Sequence, residues 1–437
     1  MPNIVALADE WRKVDPKTAS DETLYEGLCD LTMAGGMYWA SNASHTFGVA
    51  KSTDSQLQTF LQETLPDHHF TSGLFLSGFK SKTMEANEHL FKVSQLIRAN
   101  KALYELVMTT PPKRMMSTLQ NHPDGKAAVE AINEYLNIYG HLGYSLDIVE
   151  PVPVEDPSGL LATLKTMVSN ENYDPKHHEE EAARKREKAM EEVVSLLHGL
   201  QYWQFRYRLW FTYRFYHIRE EVMFYLTITS PIVRPIALEI GQRLVDVGTF
   251  TAPDDIFYLV TEEITKALEA RKDNKAIAEY KQLTAERREL REARKRLHPP
   301  GTLPQSASEL ASVRFKETQA RNDPNSDTLM GVPVSPGTIT GQVSLIQSPT
   351  EFDKMIPGSI LVCPMTNPAW TPLFAHAIGL VTDMGGILGH GSIVAREYGI
   401  PAVVGTGTIT QRVKHGQMIE VDGDAGTVKI LKDAPVK

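Results

Sequence analysis

The chain has 437 residues with 45 Lys and Arg against 54 Asp and Glu, a formal net charge of −9. That acidic balance, with a pI near 5.9, argues against a nucleic-acid binder, and 42% hydrophobic residues is ordinary for a globular protein with room for two or three domains. Cys29 and Cys363 form no disulfide or zinc spacing, which fits a reducing cytoplasm; residues 1–10 lack the features of a signal peptide, and no apolar run approaches the ~20 residues of a membrane span.

Residues 21–30 read as a helix. The apolar run 31–40 follows, and 41–48 continues it. Gly35 and Gly36 beside Met37, Tyr38 and Trp39 allow two readings. Tyr38 and Trp39 line a pocket for a flat ligand, or the glycines allow a close helix–helix contact. His68 and His69 are adjacent, which is not metal-ligand spacing on a helix, and no metal site is expected. Residues 81–107 alternate at helical period through Met84, Leu90, Val93, Leu96 and Ile97, and Pro111–Pro112 ends the run. Residues 127–139 form another helix.

His141, flanked by Gly140 and Gly143, precedes Asp147 by six residues in a turn, where functional groups often sit. A His–Asp pair suits general-base chemistry, with the carboxylate orienting the ring. The bland alternative is a structural pair. Residues 179–200 form a charged helix with a solvated face. It runs into aromatics and arginines from Tyr202 to Glu220, spaced to share a helix face. These are either a buried stripe covered by arginine stems or a cavity with Arg219 and Glu220 at its rim. Residues 235–247 are helical. Pro253, Asp254 and Asp255 suit a helix start, so these acids are assigned to structure. Residues 261–296 read as one long helix. His298–Pro304 breaks it, and a polar linker runs on to 328.

The last segment differs in kind. Residues 379–382 read as a strand, Gly385 and Gly386 as a turn, 392–398 as a helix stopped by Gly399, and 400–404 as a strand. His390 stands at the helix entrance between Gly389 and Gly391. Unpaired N–H groups and the helix dipole favour an anion there. An imidazole in that place can act as a nucleophile and carry a phosphoryl group.

The run from Gly385 to Ala402, GGILGHGSIVAREYGIPA, resembles the swivelling phosphohistidine domain of phosphoenolpyruvate-utilising enzymes. That group includes pyruvate phosphate dikinase, rifampicin phosphotransferase and phenylphosphate synthase. Val334-Ser335-Pro336-Gly337 resembles the domain's opening turn, Thr366–Pro372 its loop facing the histidine, and Gly423–Val428 its closing hairpin. The resemblance implies that His390 is phosphorylated, within a loop of Gly385, Gly386, Gly389, Ser392, Thr366 and Asn367. Many members have Ser or Thr where Gly389 stands. The segments around His141 and 248–259 resemble the substrate domain of rifampicin phosphotransferase, with Leu142 where relatives often carry Arg. This implies catalytic roles for His141 and Asp147.

No P-loop pattern occurs. The region ahead of the histidine segment offers no run of strands for an ATP-grasp domain, and no (β/α)8 barrel follows it. The expectation is therefore an α-helical substrate domain over 1–300, a linker over 301–330 and an α/β swivelling phosphohistidine domain over 331–437. It would serve as one subunit of a dikinase-type phosphotransferase, as in phenylphosphate synthase and the 4-methylbenzyl phosphate synthase type. ATP and Mg2+ would bind an ATP-grasp partner subunit rather than this chain. The acceptor would be a small aromatic hydroxyl compound, with no nucleic acid or membrane partner. Rival readings are an antibiotic phosphotransferase and a phosphocarrier without its own substrate.

Overall fold

The computed structural model describes residues 2–68, 70–76, 81–143, 146–170, 174–295, 297, 326–387 and 389–431. The expected linker falls almost wholly outside them, as do His69 and the break at His298–Pro304. Every described helix up to Arg294 belongs to an all-helical unit, and all described strands lie between Thr328 and Ile430. The protein is thus a large helical region joined to a C-terminal α/β unit.

Polar caps set the helical boundaries. Ser20 accepts from Thr23 N–H ahead of helix Asp21–Met37, and Ser81 does the same for Lys82–Arg98. The expected helix over 81–107 is two helices. Asn100 caps Lys101–Thr109, its side chain accepting from Ala102 and Leu103 N–H, so a new helix starts in a different direction. The expected helix over 261–296 is also two, Thr261–Lys272 and Glu279–Arg294. Asn274 turns the chain between them at φ 55°, a left-handed conformation that Asn tolerates. Pro235 does not begin its helix but lies inside Ser230–Asp246. Helix Asp21–Met37 runs on through one π-helical turn, Tyr38–Ala43, into Ser44–Thr64.

Leu24, Leu31, Ile236, Ile240, Leu244 and Phe250 form one core of the helical region. A second joins Ser44–Thr64 to the aromatic helix Leu200–Tyr225 through Leu57, Leu61, Phe75 and Phe205. The third does not respect the division between units. Leu90, Leu161, Leu164 and Val168 pack in one cluster with Phe352, Trp370, Leu373 and Phe374 of the α/β unit. The two units therefore meet through an apolar seam. One stretch, Leu200–Asp246, is apolar enough by composition alone to be a candidate span, contrary to expectation, but half of its apolar window is buried within the protein.

The α/β unit has eight strands: β1 (Thr328–Met330), β2 (Val332–Ser335), β3 (Thr338–Leu345), β4 (Ser359–Cys363), β5 (Ala377–Thr382), β6 (Ala402–Val404), β7 (Met418–Asp422) and β8 (Thr427–Ile430). Their order is β1-β8-β7-β3-β4-β5-β6-β2. β3 to β6 run parallel, and antiparallel strands flank them. β4 is buried along its whole length, as parallel central strands are. Loops at the carboxyl ends of parallel strands are the usual place for a site in such a sheet.

Candidate functional site at His390

The loops leaving β4 and β5 meet at His390. Met384 N–H donates to Pro364 C=O at 2.9 Å and ties them together. Gly385 sits at φ 149°, and a Cβ there would lie 3.1 Å from Val404 Cβ, so the position requires glycine. Gly386 C=O accepts from Gly389 N–H at 2.8 Å and from Ser392 Oγ at 2.7 Å, closing the turn before the histidine. Asn367 Oδ1 accepts from Ala369 N–H at 3.1 Å and shapes the facing loop. Thr366 packs on the helix start, where a Cβ at Gly391 would come within 2.5 Å of its Oγ1. The expected loop residues thus shape the turn into the histidine helix and the loop facing it.

His390 opens the helix His390–Tyr398, which stops at Gly399 in the left-handed conformation. The ring is buried, with Nε2 3.1 Å from Thr371 Oγ1. Burial, reinforced by the nearby Arg219 charge, lowers its pKa to about 3. A neutral imidazole with a lone pair is the form that attacks phosphorus.

The aromatic helix supplies the opposite wall. Arg219 and Glu220 are buried and form a short ion pair. They stand on the helical side of the seam with the Arg219 guanidinium over the Phe47 ring at 5.4 Å, and neither lines the cavity beside this wall, so they do not form its rim. One turn earlier, Tyr216 Oη donates to Glu397 Oε1 at 3.0 Å, linking this helix to the histidine helix. Burial and then the Glu220 charge raise the Glu397 pKa to about 8. Asp54 Oδ1, Arg396 Nη1 and Glu397 Oε2 are buried at the same seam without hydrogen-bond partners. Tyr216, Arg396 and Glu397 escaped the sequence reading. Glu397 and Arg396 lay inside the quoted motif, but only contact across the seam gives them meaning.

Beside this wall lies a small cleft of about 20 Å³. Tyr135, Tyr139, Leu142 and Leu160 line it from the helical region, Ala369, Thr371 and Pro372 from the α/β unit. Thr371 therefore touches both the cavity and the histidine.

Other expected site residues lie elsewhere. Tyr38 is buried, its Oη donating to Val222 C=O at 3.2 Å in a packed apolar cluster. Trp39 is 44% exposed and meets Phe47 edge-on. Neither lines the cavity beside Thr371: Tyr38 packs into the cluster with Val222 and Ile228, and Trp39 lies against Phe47. His141 is buried, with Nε2 2.8 Å from Phe224 C=O. Burial lowers its pKa. Asp147 does not orient it. That carboxylate accepts from Arg291 at 2.6 Å and from Val149 N–H at 3.0 Å, in a half-exposed ion-pair network with Glu150 and Lys295. Asp255 accepts from Thr251 and Ala252 N–H at 3.0 Å each and from Arg288 at 2.7 Å, in keeping with a structural role. Among the described residues, no group of three His, Cys, Asp or Glu is placed to hold a metal.

Comparison with known proteins agrees with this geometry. Residues 355–426 match the PEP-utilising enzyme mobile domain. Residues 43–220 match the rifampicin phosphotransferase fourth domain. Over these residues the chain is similar to the PEP-utilising enzyme mobile domain and to the rifampicin phosphotransferase fourth domain. It is 31% identical to the uncharacterized phosphotransferase YvkC of Bacillus subtilis over 82% of this chain and 43% of that protein. It is 30% identical to a rifampicin phosphotransferase of Streptomyces sviceus over 85% of this chain and 42% of that protein. The chain spans less than half the length of these relatives.

Proposed function

We propose that His390 receives a phosphoryl group and passes it to the hydroxyl of a small aromatic compound held in the cavity beside Thr371. The observation that carries this reading is the junction of a buried, neutral His390 with a cavity walled by both units. The tyrosines and leucines of its wall suit an aromatic ring, and the cleft, about 20 Å³ as it stands, widens to admit one when the two units part. As the N–P bond breaks, the new O–P bond forms, and the hydroxyl proton passes to the imidazole, which ends neutral. Arg219 offsets the charge of the phosphoryl group.

The phosphoryl donor is ATP on an ATP-grasp unit with Mg2+, yielding AMP and phosphate. The helical character of the described residues ahead of the α/β unit, and the lack of a P-loop pattern, support a nucleotide site outside residues 1–437. An antibiotic hydroxyl is the second acceptor reading, favoured by the rifampicin phosphotransferase relatives. A panel of phenols, alkylphenols and rifampicin, offered to the protein with His390 phosphorylated, separates the two. Transfer to single-ring phenols supports the first reading; transfer to rifampicin alone replaces it with the second. Leu160→Phe, which closes the cleft, should block transfer while leaving His390 phosphorylation intact. Unimpaired transfer would remove the cavity from the mechanism.

A further inference from the structure

The seam between the units presents a problem of charge. Glu397 lies seven residues after His390 on the same helix, two turns along and on the same face. Across the seam it meets Tyr216, which donates one hydrogen bond to Oε1. Its other oxygen, Oε2, is buried without a partner. The charges around it come from every neighbouring element. Arg219 and Glu220, and His217 beside Glu220, face it from the aromatic helix. Glu179 faces it from Pro175–Leu196. On its own helix Arg396 is drawn by Asp54 of Ser44–Thr64. Arg219 is already engaged by Glu220.

A buried carboxylate with one hydrogen bond and a second carboxylate nearby is costly. A protonated carboxyl avoids that cost and still accepts from Tyr216, less strongly than the carboxylate would but without the burial penalty. The bond also sets register. Tyr216 precedes Arg219 by three residues and Glu397 follows His390 by seven, so pairing Tyr216 with Glu397 brings Arg219 toward the histidine end of the helix.

We propose that Glu397 is a positioning residue whose protonated form latches the histidine helix onto Tyr216, and that loss of this proton frees the α/β unit to leave the acceptor site. The inference builds on the phosphotransfer reading, but the latch itself can be measured without any transfer. Docking takes up a proton. The docked carboxyl holds its proton up to pH about 8, while the undocked one is ionised above the ordinary carboxylate range. Each pH unit of increase weakens docking about tenfold well below that point, and about fivefold between pH 7 and 8. His390 acts in the opposite sense only below its unfolded value of about 6.5, so the interval from pH 7 to 8 isolates the carboxyl effect. Glu220, raised in the same direction, adds to the wild-type slope but is unchanged in the Glu397 variants.

The test is hydrogen exchange of the full chain, corrected for the intrinsic pH dependence, followed on peptides covering residues 212–222 and 390–398. In the wild type the Glu397 proton should raise the opening equilibrium of both peptides about fivefold from pH 7 to 8. Glu397→Gln, which mimics the protonated form, should remove that roughly fivefold rise. Tyr216→Phe should loosen the seam at both pH values while keeping the slope, and it guards against a Gln variant that fails to fold. A Gln slope equal to the wild-type slope, or a Tyr216→Phe seam as tight as wild type, overturns the latch. Failure of phosphotransfer with an intact pH-dependent seam would instead strike the functional reading.

Discussion

Arg219→Met is the most informative single change at the seam. It leaves Glu220 buried and deprived of its ion-pair partner, since both side chains are about 5–6% exposed. Removing one member of a buried pair typically costs about 3–5 kcal/mol, whereas replacing both with groups of similar volume is often close to neutral. The Arg219 guanidinium also packs over Phe47, which the Met side chain largely preserves. The expectation is a loss of about 3–5 kcal/mol for Arg219→Met, with most of it recovered in Arg219→Met/Glu220→Gln. The assay is denaturant unfolding followed by far-ultraviolet circular dichroism. Phosphotransfer should separate from stability. Both variants lack the cation that faces His390, so both should transfer at least about 10²-fold more slowly than wild type. A double variant as unstable as the single one would refute the ion-pair account. A double variant restored in both stability and transfer would refute a role for Arg219 at the phosphoryl group.

Asp147→Asn should cost under about 1 kcal/mol and leave transfer unchanged, since its partner Arg291 is held in a half-exposed network; a large loss of transfer rate would restore the His141–Asp147 pair. Gly385→Ala should destabilise the α/β unit by about 1–3 kcal/mol through backbone strain, read from its melting temperature. His390 is protonated only near pH 3 when folded but near 6.5 when unfolded. The unfolded state therefore binds the extra proton between these values, and the stability His390 contributes is present above pH 6.5 and lost as pH falls toward 3. His390→Gln should flatten this part of the acid unfolding curve, and an unchanged curve would contradict the buried neutral ring.

The histidine loop was legible in the sequence because its determinants are local. Gly385 supplies an unusual φ, Gly389 a cap position, and Gly399 a left-handed stop, and each is visible as a residue type at a fixed spacing. Arg219 and Glu220 stood out in the sequence beside the aromatics, but as the rim of a cavity; that they form a buried ion pair is visible only in the structure. The seam partners were not. Tyr216 and Glu397 are separated by 181 residues, and no local pattern joins them. His141 and Asp147 show the converse. Closeness in sequence suggested a pair, but Arg291, which Asp147 meets 144 residues away, supplies the stronger partner. The helix breaks at Asn100 and Asn274 were hidden for a third reason. Their flanking apolar periods match helices on either side, and only the capping side chain and the positive φ reveal the turn.

The central claim is that His390 carries the phosphoryl group. The protein is incubated with labelled ATP, Mg2+ and an ATP-grasp unit, and in parallel without that unit. The account predicts one acid-labile, alkali-stable phosphoryl group per chain, on the peptide containing His390, only when the unit is present. It also predicts none on His390→Ala and loss of the label when the acceptor phenol is added. Label on another residue, or full transfer by His390→Ala, would contradict it.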